Sequence, residues 1–412
     1  MNHRKTLDMN EKRSEHTGSV ARLTSVMDTL RTEGLGWVLR RLRYRTPHTP
    51  VGRSIHTGLR RILGLALEAP RALSRRLGHA PPADADTLYA FYDLQVAPLS
   101  YDVSWFAATA DRARRRMGLS RLHFVVVPGI LNGLREERKA YASIVDASAR
   151  LWRLHNIVMP IFTLVPSFAG FSLLPSRDAA GVLRAAAGGR VYPAHYEPGL
   201  PVAHWPSELL TEARGPDEEI GVLRSSPQGL RYVARWLSSR LAGRRLVTIT
   251  IRDYNFMPAR NSDLDAWAAF ARRLDAARYL PVFVLDTERT LDPLPAPLAG
   301  FEVFREASWN VGLRMALYES SHITLGVNNG PTFMCMLNAR VRIIIFKVLT
   351  PTVPQTTEEL MATLGFKIGE QVPFATPFQR LVWEDDRLET IEREFVTLAS
   401  RIEDSEATSD HP

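Results

Sequence analysis

The chain has 412 residues, 45% hydrophobic and 23% charged, a composition that excludes disorder throughout and is long enough for two domains of ordinary size. Its single cysteine, Cys335, excludes an internal disulfide and a multi-cysteine metal site, and the opening MNHRKTLDMNEKRSE lacks the apolar core of a secretory signal. The net charge of +8 sits at one end: residues 1–80 hold 16 basic and 6 acidic residues against 36 and 38 in the remainder, so a near-neutral body follows a basic leader.

Within that leader LGWVLRRLRYR (35–45) and TGLRRILGLALEAPRALSRRL (57–77) have helical spacing. Leu59, Ile62, Leu63 and Leu67 recur on one face while arginines crowd the rest, and Pro70 breaks the run. A basic amphipathic helix of this kind lies on an anionic membrane surface; the alternative is a solvated leader or a helix docked on its own domain. The arginines alternate with aliphatic rather than aromatic residues and no nucleic-acid motif occurs, so no nucleic-acid partner is expected.

From residue 85 the pattern is strand then helix. TLYAFYDLQV (87–96) reads as a strand, SWFAATADRARRRMG (104–118) as a helix, and LHFVVVPG (122–129) as a buried strand closed by a turn. REERKAYASIVDASARLW (135–152) then predicts one helix and NIVMPI (156–161) a strand. Residues 156–175 carry no charge, but Pro160, Pro166, Gly170 and Pro175 divide them, and a buried strand with an apolar loop is expected rather than a membrane span. The Gly- and Pro-rich stretch from 166 to 227 predicts mainly loop and linker. Helices at 229–243, 262–277, 309–321 and 331–339 then alternate with strands at 245–252, 279–287, 301–304, 322–329 and 341–348, and a last helix covers 386–402.

Continuous apolar strands alternating with helices predict an α/β fold, two Rossmann-like doubly wound parallel sheets facing a cleft. The expected division is a leader (1–84), a first domain with its linker (85–227), a second domain (228–385) and a closing helix with a polar tail (386–412).

Ligands of such sheets sit outside the carboxyl ends of the strands. There RDYNFMPARNSD (252–263) places Arg252 and Arg260, with planar forks of donors suited to phosphate, and Asn261 or Ser262 as cap of the next helix. Asp286 follows the next strand. Asn328, Asn329, Gly330, Pro331 and Thr332 read as a turn opening a helix whose first N–H groups attract an anion. Arginines at strand ends have no packing duty, which favours an anion cradle over pairing with Asp253 or Asp263. The chain has no GxxxxGK[ST], no GxGxxG after a predicted strand, no GxSxG and no HExxH, so a P-loop NTPase, serine hydrolase or zinc protease is not supported.

The layout of residues 87–400, together with VTITIRDYNFMPARNS and LGVNNGPTFMCMLNA, resembles the GT-B glycosyltransferase architecture, in particular fucosyltransferase-like and heptosyltransferase-like members. Asp253 stands where the former usually have a second basic residue, and Asn328–Asn329 replace the more common Ser or Thr with an acid. The resemblance implies a second domain that binds a nucleotide-sugar donor and a first domain that presents a glycan or lipid-linked acceptor, on the cytoplasmic side and peripheral to the membrane. Negative charge developing on the departing diphosphate would be met by Arg252, Arg260 and the N–H groups near Gly330 and Thr332, with no metal or other cofactor expected, since the DxD-like run PADAD (82–86) lies before the first strand. The acceptor hydroxyl needs a base, and Glu136 in ILNGLREERKAY is the candidate, with His195 and Asp102 as rivals. A non-catalytic binding protein and a nucleotide-sugar epimerase of the same architecture remain open.

Overall fold

The computed structural model describes residues 84–130, 133–137, 139–204, 207–212 and 219–409. The expected membrane helix within residues 1–80 lies outside the described residues. His79–Pro198 and His204–Pro412 form one compact unit, which carries both sheets found among the described residues.

The first sheet is built from β1 (Thr87–Asp93), helix α1 (Val103–Arg116) and β2 (Arg121–Val127). Both strands are almost wholly buried, which is why they read as unbroken apolar runs. The single helix expected at 135–152 is instead two short ones, α2 (Lys139–Ala142) and α3 (Ala147–Arg153). Asp146 has extended backbone and its carboxylate accepts a hydrogen bond from the Ala149 N–H at 2.8 Å, so it starts a new helix rather than continuing one.

NIVMPI is not a strand. It continues α3 through a π turn, Leu154–Val158, into α4 (Met159–Phe162), and the π turn just before Pro160 accommodates the proline within the helix. Ile157, Val158, Ile161 and Phe162 are buried at helical spacing, a pattern that an uncharged six-residue window does not distinguish from a strand. The next strand comes from inside the stretch expected to be loop: β3 (Phe168–Leu173), followed by α5 (Arg177–Ala187), β4 (Val191–Tyr192) and α6 (Ser207–Glu212). β3 is an edge strand with alternating exposure, and Gly170, at φ 152°, sits where its register against β2 slips, so it has no continuous apolar run to recognise. The uncharged stretch 156–175 is thus a helix and an edge strand. No helix among the described residues is long and apolar enough to cross a membrane. The sheet is parallel throughout, in the order β3-β2-β1-β4.

The second sheet follows the sequence expectation more closely. In chain order it comprises α7 (Pro227–Ser238), β5 (Arg245–Thr250), α8 (Leu264–Arg273), β6 (Tyr279–Val284), β7 (Glu302–Val303), α9 (Glu306–Trp309), α10 (Val311–Ser320), β8 (Ile323–Val327), α11 (Gly330–Met336) and β9 (Ile343–Phe346). To these the structure adds α12 (Glu358–Leu364) and β10 (Gln379–Leu381), which the sequence reading missed, before the closing helix α13 (Leu388–Ser409). The strand order is β10-β9-β8-β5-β6-β7, all parallel, so the chain winds outward one way from β5 and then the other way from β8. The crevice outside the carboxyl ends of β5 and β8 is the topological switch point. Gly326 lets the strands meet there: a Cβ at this position would lie 2.9 Å from the Thr250 carbonyl oxygen and equally close to Thr332 Cγ2.

The core of the first half includes one titratable group with a legible consequence. The His204 ring lies 3.1 Å from the Tyr192 hydroxyl through Nδ1 and 3.4 Å from Thr109 Oγ1 through Nε2, and burial lowers its pKa from 6.5 to about 3. Between those values the unfolded chain binds a proton that the folded chain refuses, so stability declines as pH falls through this window. Neighbouring Glu208, whose carboxyl is raised by burial, acts in the opposite sense, and a His204→Gln comparison cancels its contribution. The variant is expected to flatten the loss of stability between about pH 7 and pH 5 by up to about 1.4 kcal/mol per pH unit, read by chemical denaturation. Parallel curves for the two proteins would mean that His204 protonates without unfolding.

Candidate functional site

The loop after β5 is built around Arg252. Its backbone N–H donates to Ser262 Oγ at 2.9 Å and its carbonyl accepts from the Ser262 N–H at 2.9 Å, closing the base of the loop. The guanidinium turns inward and donates to the carbonyl oxygens of Phe256 (2.6 Å) and Met257 (3.1 Å) and to Asn261 Oδ1. Asn261 in turn exchanges hydrogen bonds with Tyr254, both at 3.2 Å. Arg252 is only 6% exposed, and the cap expected from Asn261 or Ser262 is supplied by Asp263, whose side chain accepts from the Ala266 N–H at 3.1 Å. Arg252, Asn261 and Ser262 therefore spend these polar atoms shaping the loop.

That shape delivers Arg260. A 3-10 turn, Pro258–Arg260, carries its guanidinium across the switch point, where Nη2 donates to the Asn328 carbonyl at 3.0 Å and approaches Asn328 Oδ1 at 3.5 Å. Its buried Nε has no hydrogen-bond partner, and among the described residues no carboxylate forms an ion pair with it. Burial, then the charge of Arg252, lowers its pKa from 12.5 to about 10, while Asp102 pulls it the other way. A desolvated cation with a free donor needs an anion.

The late turn is largely self-satisfied. Asn328 Nδ2 donates to the Val348 carbonyl at 2.8 Å. Asn329 and Thr332 form a capping box, in which Asn329 Oδ1 accepts from the Thr332 N–H at 2.9 Å and Thr332 Oγ1 accepts from the Asn329 N–H at 3.2 Å. The Thr332 N–H expected to face phosphate is therefore already used. Pro331 occupies the first turn of α11 as expected, and Gly330 packs against Tyr101 of the first half. Asp286, after β6, accepts from the Glu288 N–H at 3.3 Å; burial raises its carboxyl, opposed by Arg314 and Arg252.

The sequence reading missed four contributors. Lys347, directly after β9 with φ 53°, donates to the Asn261 carbonyl at 3.1 Å and pairs with Asp386 at 3.5 Å. A lysine at a strand end was the available signal. Arg314, 1% exposed in α10, donates from Nε to the Ala307 carbonyl at 2.7 Å and has an unpartnered Nη2. In sequence it is an ordinary helical arginine. Arg153 in α3 donates to the Tyr254 hydroxyl at 2.9 Å, to Glu288 at 3.4 Å and to the Tyr141 hydroxyl at 3.2 Å, tying the β5 loop to the first half. Tyr101 is the fourth.

The candidate bases Glu136, His195 and Asp102 are all exposed, and Asp102 directly follows Tyr101, which packs on Gly330 at the start of α11. Asp102, at the cap position of α1, accepts from Ser100 Oγ at 2.9 Å, and its charge reaches Arg260. No group of three or more metal-ligating side chains occurs among the described residues.

The site thus lies at the switch point of a Rossmann-type sheet in a chain that carries two such sheets, the α/β arrangement expected from the resemblance. No protein-family model matches the sequence, and no curated protein matches it. Among solved structures the chain is similar to a glycosyl transferase family 9 protein from Veillonella parvula, at 10% identity over 78% of this chain and 99% of that one, with a TM-score of 0.45. It is similar to the ADP-heptose lipopolysaccharide heptosyltransferase II of E. coli, at 10% identity over 77% and 99% of the two chains and a TM-score of 0.46. An E. coli heptosyltransferase solved with ADP gives 10% identity, 76% and 98% coverage and a TM-score of 0.36.

The two loop arginines should separate experimentally. Arg252→Ala removes a buried brace and is expected to cost about 2–3 kcal/mol in urea denaturation, whereas Arg260→Ala, which deletes an incompletely bonded cation, should stay within about 0.5 kcal/mol. Equal losses would contradict the division of labour described above.

Proposed function

We propose that the protein is a glycosyltransferase that binds a nucleotide-activated sugar at the switch point of the second sheet and transfers the sugar to a glycan or lipid-linked acceptor held by the first half. The observation that carries this reading is Arg260, a desolvated guanidinium at the β5–β8 crevice whose Nε has no hydrogen-bond partner and which forms no ion pair among the described residues. A diphosphate supplies the missing anion, and Arg260 is preorganised to take the charge that grows on that diphosphate as the bond to the sugar breaks. The nearby guanidinium of Arg252 adds to the field while holding the loop, and Asp286, Asn328 and Asn329 line the same edge.

We assign the base to Asp102 rather than Glu136, because it follows Tyr101, which packs against Gly330 at the edge of the crevice. In the proposed step the acceptor hydroxyl gives its proton to Asp102 and its oxygen attacks the anomeric carbon. The carbon–oxygen bond to the diphosphate breaks, and the electron pair leaves on the diphosphate. The fixed cations take the place of a divalent ion. A non-catalytic nucleotide-binding protein is the second reading, favoured by the internal satisfaction of Arg252 and the Asn329–Thr332 turn.

A thermal-shift screen against UDP, GDP, ADP, CMP and their sugars, with and without magnesium, tests the reading. One nucleotide at a hundredfold excess over its Kd should stabilise the protein by about 2.7 kcal/mol, equally without magnesium, and Arg260→Ala should abolish the shift. Silence across the panel would overturn it; a shift without slow release of nucleotide from the corresponding sugar donor would favour the non-catalytic reading.

The basic leader supports a cytoplasmic protein held at an anionic membrane surface through residues 1–80. In vesicle flotation the full chain is expected to bind phosphatidylglycerol-containing vesicles and a chain lacking residues 1–80 to remain free. Equal binding by both would remove this role.

A further inference from the structure

Two contacts join the start of α1 and the residue before its cap to the first turn of α11. Trp105 lies 6.3 Å, centroid to centroid, from Phe333. Tyr101 presses on Gly330: a Cβ at residue 330 would lie 2.5 Å from Tyr101 Cβ, 3.0 Å from Cγ and 3.1 Å from Cδ2. No side chain larger than hydrogen fits there unless Tyr101 moves. The Tyr101 ring has Arg314, Asp286 and Cys335 of the second half and Arg153 of the first as electrostatic neighbours, and its hydroxyl is raised by burial.

The backbone beside it is fixed. The Tyr101 carbonyl accepts from the Ser104 N–H at 2.9 Å and from Ser104 Oγ at 2.7 Å, the Asp102 carbonyl accepts from the Trp105 N–H at 3.1 Å, and the Asp102 carboxylate accepts from Ser100 Oγ at 2.9 Å. The Tyr101 side chain, seated on Gly330, anchors the turn that bears Asp102 to the second half. We propose that Tyr101 is a positioning residue for the transfer step: seated on Gly330, it holds the Asp102 carboxylate of the first half in register with the Arg260 guanidinium of the second.

This inference rests on the glycosyl-transfer reading and deepens it, because it makes Gly330 a socket for the acceptor half rather than a phosphate contact. The test uses the nucleotide sugar whose nucleotide stabilises the wild-type protein. Water serves as acceptor: its proton passes to Asp102, its oxygen bonds to the anomeric carbon, and the nucleotide diphosphate leaves with the bonding electrons. Nucleotide release and nucleotide affinity are measured for wild type, Tyr101→Ala, Tyr101→Phe, Gly330→Ala and Asp102→Asn, with circular dichroism to verify folding.

Tyr101→Ala and Gly330→Ala are each expected to lower kcat for release by about 100-fold, as Asp102→Asn does, with nucleotide Kd within about twofold of wild type. Tyr101→Phe, which keeps the ring in its socket, should restore release to within about threefold. Wild-type kcat in folded Tyr101→Ala or Gly330→Ala, or a loss confined to Kd, would overturn the positioning role while leaving the transfer reading intact. Failure of the wild type to bind any nucleotide overturns both.

Discussion

Three guanidinium groups, those of Arg252, Arg260 and Arg314, are removed from water near one edge of the second sheet, and much of the surrounding structure compensates for that desolvation. The compensation is uneven. Arg252 is met by two carbonyl groups and an amide oxygen, all from its own loop. Arg314 is met by one carbonyl, by Tyr318 and by the field of Asp286, and keeps one nitrogen unpartnered. Arg260 is met least, by a neutral carbonyl and the more distant Asp102. The gradient runs from a cation whose donors shape its own loop to one that is incompletely bonded.

The same gradient explains what was legible in the sequence. Strands β5, β6, β8 and β9 are buried on both faces, so composition alone revealed them, and their carboxyl ends could be placed to within a few residues. That was enough to bring Arg252, Arg260, Asp286 and Asn328 to one edge. It did not reveal which donors were already used, because loop hydrogen bonds between residues five or nine apart leave no periodic trace. Arg314 was invisible for a related reason: a helical arginine looks the same in sequence whether it faces water or a core. In the first half, apolar character without charge at 156–161 suits a strand and a buried helix equally, and the structure forms the helix. The true edge strand, half exposed and with its register shifted near Gly170, has no apolar run to separate it from loop.

Coupling between the halves appeared only in three dimensions. Arg153 joins Tyr141 on its own side to Tyr254 and Glu288 across the crevice, and the Tyr141 and Phe256 rings meet at 5.1 Å. Tyr254 and Phe256 belong to the loop that Arg252 braces, and Glu288 to the turn after β6. The loop is therefore held from below by its own arginine and from the side by an arginine of the other half. The consequence for Arg260 is positional, since its 3-10 turn belongs to that same loop.

Held this way, the crevice has little freedom to find its geometry after a ligand arrives, and its catalytic value would depend on being assembled beforehand. The halves share one buried apolar core that includes Leu88, Val126 and Ile161 with Met315, Ile343 and Ile345, and two further contacts lie beside it, the Arg153 cluster at the β5 loop and the Tyr101–Gly330 contact at α11. They act on different partners: the first fixes the loop that bears the cation, the second fixes the turn that bears Asp102. A change at either would displace one charge relative to the other without removing it. The placement of Asp102 relative to Arg260 is thus a property of packing between the two sheets as much as of the two residues themselves.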